Sequence, residues 1–194
     1  MWTMKDQYDV VVVGAGPGGS MAAKSLADRG VSVLLLEKRQ EIGAAVRCAE
    51  VVGPRAVISR FIPVDESWVY HDLDEVWLYP PNGKQLRKDF PQCGMMVDRK
   101  RFDKALAIAA ANAGAEVRTK TQAMGLERVR DGVRLTVRHM GREHKIDARA
   151  IVGADGVESM VGRWAGMKTA LGLTKVFSSV QYQLTGIDGP PNVL

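Results

Sequence analysis

The spacing of apolar residues near the N-terminus predicts two buried strands separated by a helix. Tyr8 to Val13 is a continuous apolar run rich in valine, which is typical of a strand buried on both faces of a parallel sheet. From Gly18 the apolar residues follow helical spacing as far as Gly30, where a helix C-cap belongs, and Val31 to Leu36 is a second apolar run. A strand, a glycine turn, a helix and a strand in this order predict a βαβ unit with a right-handed crossover.

The middle of the chain has a looser pattern, which predicts the start of a second sheet. Residues 41–67 mix glycine, proline and single charges. Val76 and Leu78 lead into the turn sequence Pro80-Pro81-Asn82-Gly83, and Lys84 to Phe90 is the predicted return strand.

A further helix and a short strand are predicted to bring the chain back to the first sheet. Asp98 is the expected N-cap of this helix, which stops at Gly114. Its apolar face consists of Phe102, Leu106, Ala109 and Ala113. Glu116 to Arg118 is the predicted returning strand.

The last third of the chain alternates apolar and polar residues, which predicts a β-meander. The Asp131-Gly132 turn and the alternation from Val133 to Val137 indicate a hairpin with one solvent-exposed face, and Lys145 to Ala148 would complete the meander. Ala150 to Gly153 is then predicted as a buried strand of the first sheet. Phe177 to Leu184 is a candidate for one more strand.

The composition narrows the class of protein. With 194 residues, of which 46% are hydrophobic and 25% charged, we expect one generous globular domain or two small ones. The apolar runs are far shorter than the ~20 residues that span a bilayer, and the N-terminus has no export signal, so we expect a cytoplasmic protein. Cys48 and Cys93 are expected to be free thiols. The net charge of +5 is scattered and only 6% of residues are aromatic, which argues against a nucleic-acid partner.

The strongest chemical signal is the run Gly14-Ala15-Gly16-Pro17-Gly18-Gly19, which follows a predicted strand and opens a predicted helix. In such a run Gly14 permits a tight turn, Gly16 lets the backbone approach a pyrophosphate, and Gly19 allows close packing of the helix. Glu37 ends the second strand, where a carboxylate accepts both ribose hydroxyls and repels a 2′-phosphate. This pattern favours FAD or NAD over NADP and leaves the choice between FAD and NAD open.

Three later segments resemble motifs of the geranylgeranyl reductase family of flavoproteins. They are residues 45–50 (Ala-Val-Arg-Cys-Ala-Glu), 97–104 (Val-Asp-Arg-Lys-Arg-Phe-Asp-Lys) and 152–159 (Val-Gly-Ala-Asp-Gly-Val-Glu-Ser). The run 161–166 is also similar to archaeal phospholipid reductases of that family. The resemblance covers nearly the whole chain and implies FAD as the cofactor. It also implies an α/β fold, the Rossmann-like FAD-binding fold of the aromatic hydroxylase type, with a β-meander and the start of a substrate-binding sheet.

The resemblance also implies where the cofactor lies. Ala15 and its neighbours would contact the pyrophosphate, Glu37 the adenosine ribose, and Ala123 the adenine through its backbone. Residues 48–51 would lie along the dinucleotide toward the flavin ring, and Asp155 beside the ribityl chain. The implied cofactor-binding residues are Gly14, Ala15, Gly16, Gly19, Glu37, Cys48, Ala49, Val51, Arg99, Ala123, Asp155 and Gly156.

Four of these residues also have an ordinary structural interpretation. Cys48, the candidate catalytic residue, is either a small buried hydrophobe or a thiol activated by the adjacent Arg47. Arg99 is either a solvated residue in a first helical turn or a ligand of the cofactor phosphates or adenosine side, which would relieve its conflict with the helix dipole. Asp155-Gly156 is either a plain turn or a second fingerprint.

The family usually has Cys-Gly-Glu-Gly where this chain has Cys48-Ala49-Glu50-Val51, which bears on the conformation of that loop.

The resemblance implies an FAD-dependent oxidoreductase that reduces carbon–carbon double bonds in isoprenoid chains of archaeal-type ether lipids. The implied partners are a prenylated lipid substrate, an electron donor (a ferredoxin, NAD(P)H or a deazaflavin) and the membrane surface, contacted peripherally. The alternatives are an FAD-dependent aromatic hydroxylase, an electron-transfer flavoprotein dehydrogenase, and an FAD-binding module without turnover.

The predicted domain division is an FAD-binding domain formed by residues 1–70 and 91–166, and the beginning of a substrate-binding domain formed by residues 71–90 and 167–194. The chain is accordingly expected to be the N-terminal part of a longer flavoenzyme. No metal site is predicted, because the three histidines (His71, His139 and His144) lack metal-ligand spacing. The aromatic cluster Trp68, Tyr70, Trp77 and Tyr79 is more often core than the lining of a prenyl channel.

Overall fold

The computed structural model describes residues 5–46, 48–169, 171–182, 185–186 and 193. The chain divides into two compact units. The first unit is Met1–Ala44 with Asp103–Phe177, and the second is Ala45–Phe102 with Ser178–Leu194. These units are defined by contacts, so the functional division predicted from the sequence stays a prediction.

The described residues form nine strands and four α-helices. In chain order the strands are β1 (Gln7–Val13), β2 (Val33–Leu36), β3 (Val51–Val52), β4 (Val69–Leu78), β5 (Leu86–Val97), β6 (Glu116–Arg118), β7 (Thr121–Val129), β8 (Gly132–His139) and β9 (Arg142–Gly153). The helices are α1 (Pro17–Ala27), α2 (Arg55–Ile58), α3 (Arg99–Asn112) and α4 (Val161–Trp164). Short 3-10 turns occupy Gly156–Glu158 and Leu173–Lys175.

The first unit is built on a six-stranded sheet with the order β6-β2-β1-β9-β8-β7. The central strand β1 is parallel to β2 on one side and to β9 on the other, and β6 is parallel to β2. The predicted βαβ unit and the predicted return of Glu116–Arg118 to this sheet are therefore confirmed. Strand β2 begins at Val33 rather than at Val31, and all its residues are buried.

Strand β9 joins the parallel part of the sheet to the meander. Residues 142–148 pair antiparallel with β8, and residues 147–153 pair parallel with β1. The sequence predicted two separate strands here, and the structure has one continuous strand. The difference has a simple reason, because a strand bonds a different neighbour along each of its edges and therefore needs no interruption to change partners.

Both faces of this sheet are covered, which explains the continuous apolar runs. Val11 and Val13 of β1 belong to a cluster with the meander residues Leu135 and Val137. Val12, on the opposite face of β1, packs in a second cluster. Other members of that second cluster are Ala23, Leu35, Ala107 and Ala110, which come from α1, β2 and α3. The parallel strands thus lie between a helical layer and the meander.

The second unit contains a three-stranded antiparallel sheet with the order β3-β5-β4. The predicted turn is confirmed, since the Gly83 N–H donates to the Pro80 carbonyl oxygen at 3.1 Å. Strand β5 continues beyond the predicted end at Phe90 to Val97. Pro91 is accommodated because the pairing register with β4 shifts between Leu73 and Glu75, so this proline lies in an irregular part of the ladder where no N–H donor is required.

Helix α3 begins and ends where the sequence predicts. Asp98 is its N-cap, and its Oδ1 accepts the Arg101 backbone N–H at 3.0 Å. Gly114 follows the helix with a φ of 107°, a left-handed conformation that glycine adopts readily. The boundary between the two contact units falls inside this helix, after Phe102.

The predicted strand at Phe177–Leu184 is wrong over residues 177–182, which form no strand and are exposed. The physical reason is that none of the strands within the described ranges pairs with them, and an unpaired apolar segment gains nothing from an extended ladder. Gln183 and Leu184 lie outside the described residues. Among the described residues, no helix combines the length and the apolar character required to cross a bilayer.

Candidate functional site

The glycine turn after β1 is packed too closely for side chains at two of its positions. Gly14 has a φ of 101°, and a Cβ there would lie 2.3 Å from the carbonyl oxygen of Ala154. A Cβ on Gly19 would lie 1.8 Å from the carbonyl oxygen of Gly14. Both distances are far inside van der Waals contact. The tight turn and the close helix packing predicted for these glycines are therefore present in the structure.

The same turn leaves open space at the start of α1. Gly16 is the N-cap residue and Pro17 is at the first helical position. A Cβ on Gly16 or Gly18 would meet nothing within 4 Å. The first N–H groups of a helix have no acceptor within the helix, and they carry the positive end of the helix dipole. This open, glycine-lined helix end suits an anionic group such as a pyrophosphate.

Glu37 follows directly after β2 and lies beside the glycine turn. Its Oε2 accepts the Ala15 backbone N–H at 3.2 Å, and its Oε1 accepts the Arg39 backbone N–H at 2.8 Å. Each carboxylate oxygen can accept a further hydrogen bond, so the group is held in place while retaining capacity for hydroxyl donors. The carboxylate and the helix end thus lie together, at the carboxyl edge of the parallel strands.

Asp155 lies at the same edge, where β9 ends. The Ala154 N–H donates to the Val13 carbonyl oxygen at 2.8 Å, which holds the end of β9 against that of β1. The Asp155 Oδ2 accepts the backbone N–H groups of Met160 at 2.7 Å and Val161 at 3.0 Å. Partial burial raises the pKa of Asp155, but these backbone donors outweigh it and hold the pKa below its usual value. Its side chain therefore caps α4, a role that the sequence did not suggest.

The Lys120-Thr121 turn, which is distant in sequence, is hydrogen-bonded to the backbone of Glu37 and Arg39. The Thr121 N–H donates to the Glu37 carbonyl oxygen at 2.8 Å, and the Lys120 N–H donates to the Arg39 carbonyl oxygen at 2.9 Å. The sequence analysis missed Thr121 and Lys120. A positive φ of 51° at Lys120 marks the turn, but a lysine gives no sequence signal for it. Ala123, the predicted adenine contact, follows in β7 and pairs with Val137 of β8.

The predicted residues of the second unit have their own local arrangement. Cys48 is half-buried and has a free thiol, as does Cys93, in agreement with the sequence prediction. Ala49 is exposed, and Val51 pairs with Met96 in the small sheet. Arg99 is in the first turn of α3. Arg47, which the activated-thiol interpretation of Cys48 requires, lies outside the described residues.

Glu50 is the residue of this loop that sequence reasoning missed. It is buried, has a φ of 61°, and its Oε1 accepts the Arg99 backbone N–H at 3.3 Å. Its carbonyl oxygen accepts the Val97 N–H at 2.8 Å. Within residues 48–51 the left-handed residue is therefore Glu50, whereas Ala49 and Val51 have no positive φ. Loss of the family's two glycines is compatible with this conformation, because neither position requires one.

Other candidate residues have structural surroundings. No cluster of metal-ligating side chains occurs within the part of the chain that the structure describes. Of the aromatic cluster, Trp68 is core and packs edge-on against Phe102, with ring centroids 5.0 Å apart. Tyr70 and Tyr79 are exposed, so the prediction of a core cluster is wrong for them.

Together, the glycine turn, the open helix end and the Glu37 carboxylate at one edge of a parallel sheet define a dinucleotide-binding domain. The sequence model of the family described as "FAD binding domain" matches residues 7–187. The chain belongs to this family, whose cofactor is FAD. The match resolves the choice between FAD and NAD that the glycines and the acid left open.

Named relatives point to a narrower group. The chain is 46% identical over 190 residues to a digeranylgeranylglycerophospholipid reductase of Methanosarcina mazei, covering 95% of this chain and 46% of that protein. It is 49% identical over 168 residues to the protein of the same name from Methanothrix thermoacetophila, covering 84% of this chain and 43% of that protein. The chain spans about half the length of the curated relatives it matches.

Solved structures agree with this relationship. A geranylgeranyl bacteriochlorophyll reductase-like protein from Thermoplasma acidophilum superposes with a TM-score of 0.78 at 38% identity, covering 84% of this chain and 43% of that one. An aklavinone-11 hydroxylase in complex with FAD and aklavinone gives a TM-score of 0.65 at 25% identity, covering 84% and 36%. The expected Rossmann-like fold of the aromatic hydroxylase type and the resemblance to geranylgeranyl reductases are confirmed.

Proposed function

We propose that this chain is the FAD-binding part of an oxidoreductase that reduces carbon–carbon double bonds in the geranylgeranyl chains of glycerophospholipids. The observation that carries the proposal is the similarity to reductases named for that substrate, at 46% identity over 95% of the chain. It is supported by a glycine turn and an acidic residue arranged for a dinucleotide. The proposed substrate is an archaeal-type ether phospholipid bearing unsaturated prenyl chains.

The residues of the first unit suit FAD at the glycine turn. The space beside Gly16 and Gly18 accommodates a pyrophosphate close to the backbone, and the helix end supplies N–H donors. Glu37 would accept the hydroxyls of the adenosine ribose, because its two oxygens are already oriented by Ala15 and Arg39. Reduced FAD, when bound, supplies the hydride for alkene reduction. The contribution of the protein is to hold this cofactor and to orient the prenyl chain.

The residues of the second unit take proposed roles from the family resemblance. Cys48, Ala49 and Val51 would line the path of the cofactor toward its flavin end. Arg99 would neutralise cofactor phosphates, which would also relieve the conflict between its positive charge and the helix N-terminus. Cys48 is the candidate proton source at the alkene. A Cys48→Ser variant that retains FAD but loses turnover supports this role, and unchanged turnover contradicts it.

We further propose that the protein works in the cytoplasm at the surface of the membrane that holds its substrate, and that it takes electrons from a ferredoxin, NAD(P)H or a deazaflavin. These donors differ chemically and can be separated. Anaerobic mixing of the flavin-loaded protein with each donor, followed by the loss of flavin absorbance, identifies the one that reduces the cofactor at a useful rate.

The proposal is tested by expressing the gene, with any downstream sequence, in a host that makes unsaturated ether lipids. We expect a yellow protein with a flavin spectrum, and lipid mass spectrometry should show mass increases of two hydrogens per reduced double bond. Absence of flavin contradicts the whole assignment. Bound flavin with unchanged lipids contradicts only the reductase activity. A hydroxylated aromatic product formed with oxygen would instead support the hydroxylase alternative, which the similarity to aklavinone-11 hydroxylase makes worth testing.

A single substitution tests the cofactor site. We expect Glu37→Arg to abolish FAD retention, because it removes the ribose acceptors and adds a cation. Glu127→Arg is the matched control, since Glu127 is exposed on β7 and undergoes the same charge change. Flavin occupancy is measured by absorbance after gel filtration. Wild-type occupancy in Glu37→Arg, or equal loss in both variants, contradicts the assignment.

A further inference from the structure

The turn between β4 and β5 is an exposed part of the second unit. We define the hairpin tip as residues 78–90, all of which are exposed. Its conformation is held by local hydrogen bonds. The Gly83 N–H donates to the Pro80 carbonyl oxygen at 3.1 Å, and the Lys84 N–H donates to Asn82 Oδ1 at 3.1 Å. The hairpin tip thus presents its side chains in a defined arrangement.

Large apolar side chains are concentrated on this tip. Leu78 and Leu86 are directly opposite one another in the ladder and are 54% and 57% exposed. Tyr79 is 66% exposed and Phe90 is 44% exposed. Single exposed apolar residues are normal on protein surfaces, whereas a group of four within one hairpin offers apolar area to an interaction partner.

Cations accompany these apolar side chains. The hairpin tip contains Lys84, Arg87 and Lys88 against a single carboxylate, Asp89. The Arg87 guanidinium carbon lies 3.9 Å from the ring centroid of Trp77, and the Lys88 Nζ lies 4.8 Å from the ring centroid of Phe90. Aromatic rings with adjacent cations are the side-chain combination that suits the interface between lipid headgroups and acyl chains.

We propose that the hairpin tip docks this protein on an anionic phospholipid bilayer, an inference that rests on the proposed function because the substrate is itself a membrane phospholipid. Leu78, Leu86 and the aromatic rings would enter the headgroup boundary, while the three cations contact lipid phosphates. Charge complementarity selects this occupant over a second copy of the chain. Two tips facing each other would bring like charges together, whereas an anionic bilayer neutralises them.

The electrostatic part is tested with vesicles of phosphatidylglycerol and phosphatidylcholine, and with vesicles of phosphatidylcholine alone. We expect the purified, flavin-loaded protein to float with the anionic vesicles and to dissociate as salt is raised. Lys84→Glu/Lys88→Glu should lower the partition coefficient about tenfold or more, since each basic residue near an anionic surface contributes binding free energy. The control Arg142→Glu/Lys145→Glu makes the same charge change at exposed positions of β9 and should bind normally. Equal loss in both variants overturns the proposal.

The apolar part is tested with Leu78→Ser/Leu86→Ser, compared with Ile108→Ser/Met140→Ser at exposed positions of the first unit. We expect only the first variant to lose vesicle binding, with unchanged circular dichroism. Unchanged vesicle binding, or a change in oligomeric state instead, overturns the proposal. The vesicle-binding assay does not depend on turnover, and reductase activity on detergent-dispersed substrate tests the proposed function separately. Failure of one of these two measurements therefore leaves the other interpretable.

Discussion

At the scale of single residues, neighbouring glycines of the turn have different structural requirements. The space that a side chain on Gly19 would need is filled by the carbonyl oxygen of Gly14, whereas Gly18 faces open space. We expect Gly19→Ala to destabilise the protein by about 1–3 kcal/mol, because backbone must shift to admit the methyl group. Gly18→Ala is the matched control and should be neutral or slightly stabilising, since alanine favours a helix by up to about 1 kcal/mol. Urea unfolding of both variants without FAD measures the difference, and equal stability would contradict this assignment of space.

Gly16→Ala separates packing from cofactor binding at the same turn. A Cβ there meets no protein atom within 4 Å, so the variant should lose less than about 1 kcal/mol of stability, the difference between glycine and alanine at an N-cap. The new methyl group would nevertheless occupy the space proposed for the pyrophosphate. We therefore expect normal folding with weakened FAD binding, measured by flavin fluorescence titration. Wild-type affinity would place the pyrophosphate elsewhere.

At the scale of elements, Asp155 connects the end of β9 to α4. Its Oδ2 accepts the N–H groups of Met160 and Val161, so the short helix depends on a charged acceptor. We expect Asp155→Asn to cost about 1–2 kcal/mol, because hydrogen bonds to charged groups contribute more than neutral ones. Thermal or urea unfolding measures this loss.

The pH dependence of the same variant has a definite sign. The pKa of Asp155 is held below its usual value in the folded protein. Its contribution is therefore present above the unfolded-state pKa of about 4 and is lost as the pH falls through the lower, folded pKa. The stability difference between the wild type and Asp155→Asn should be constant from neutral pH down to about 5 and shrink below about 4. A difference that grows on acidification would contradict the capping role.

At the scale of the whole molecule, the cofactor is expected to contribute to stability. FAD binds the folded protein and not the unfolded chain, so at a hundredfold excess over its Kd it should add about 2.7 kcal/mol. For a protein of this size that corresponds to a rise in Tm of about 5–10 °C. FMN lacks the adenosine that Glu37 is proposed to hold and should produce a smaller rise. Differential scanning calorimetry measures both, and equal shifts for FAD and FMN would contradict the role of Glu37.

The residues with proposed functions are divided between the two compact units of the chain. The first unit contains the glycine turn, Glu37 and Asp155, and the second contains residues 48–51 and the hairpin tip. The glycine turn and the proposed lipid contact are thus in different compact units. Variants of the glycine turn or of Glu37 should accordingly affect FAD binding and spare vesicle binding, whereas variants of the hairpin tip should affect vesicle binding and spare FAD binding.

The features that the sequence determined by itself are those with local causes. The βαβ unit follows from apolar runs on either side of a helical pattern, and the β7–β8 hairpin from the alternation around the predicted Asp131-Gly132 turn. The two-residue turn itself is Arg130-Asp131, one position earlier than predicted, because Gly132 already pairs with Val129. The Gly14–Gly19 turn was recognisable from the spacing of its glycines directly after an apolar run, although the Ala154 carbonyl oxygen that closes the space at Gly14 is distant in sequence. Glu37 was placed correctly at the strand end because strand length and spacing are local properties.

Tertiary structure decided what depends on partners distant in the chain. The continuity of β9 follows from pairing with β1 along one edge and β8 along the other. The passage of β5 through Pro91 depends on a register shift against β4. Glu50 and Thr121 owe their positions to hydrogen bonds with Arg99 and Glu37. These hydrogen bonds join segments that are far apart in the sequence, so no local sequence pattern predicts them. The free energy that selects them comes from burying polar groups and pairing them, which happens only once the chain has folded.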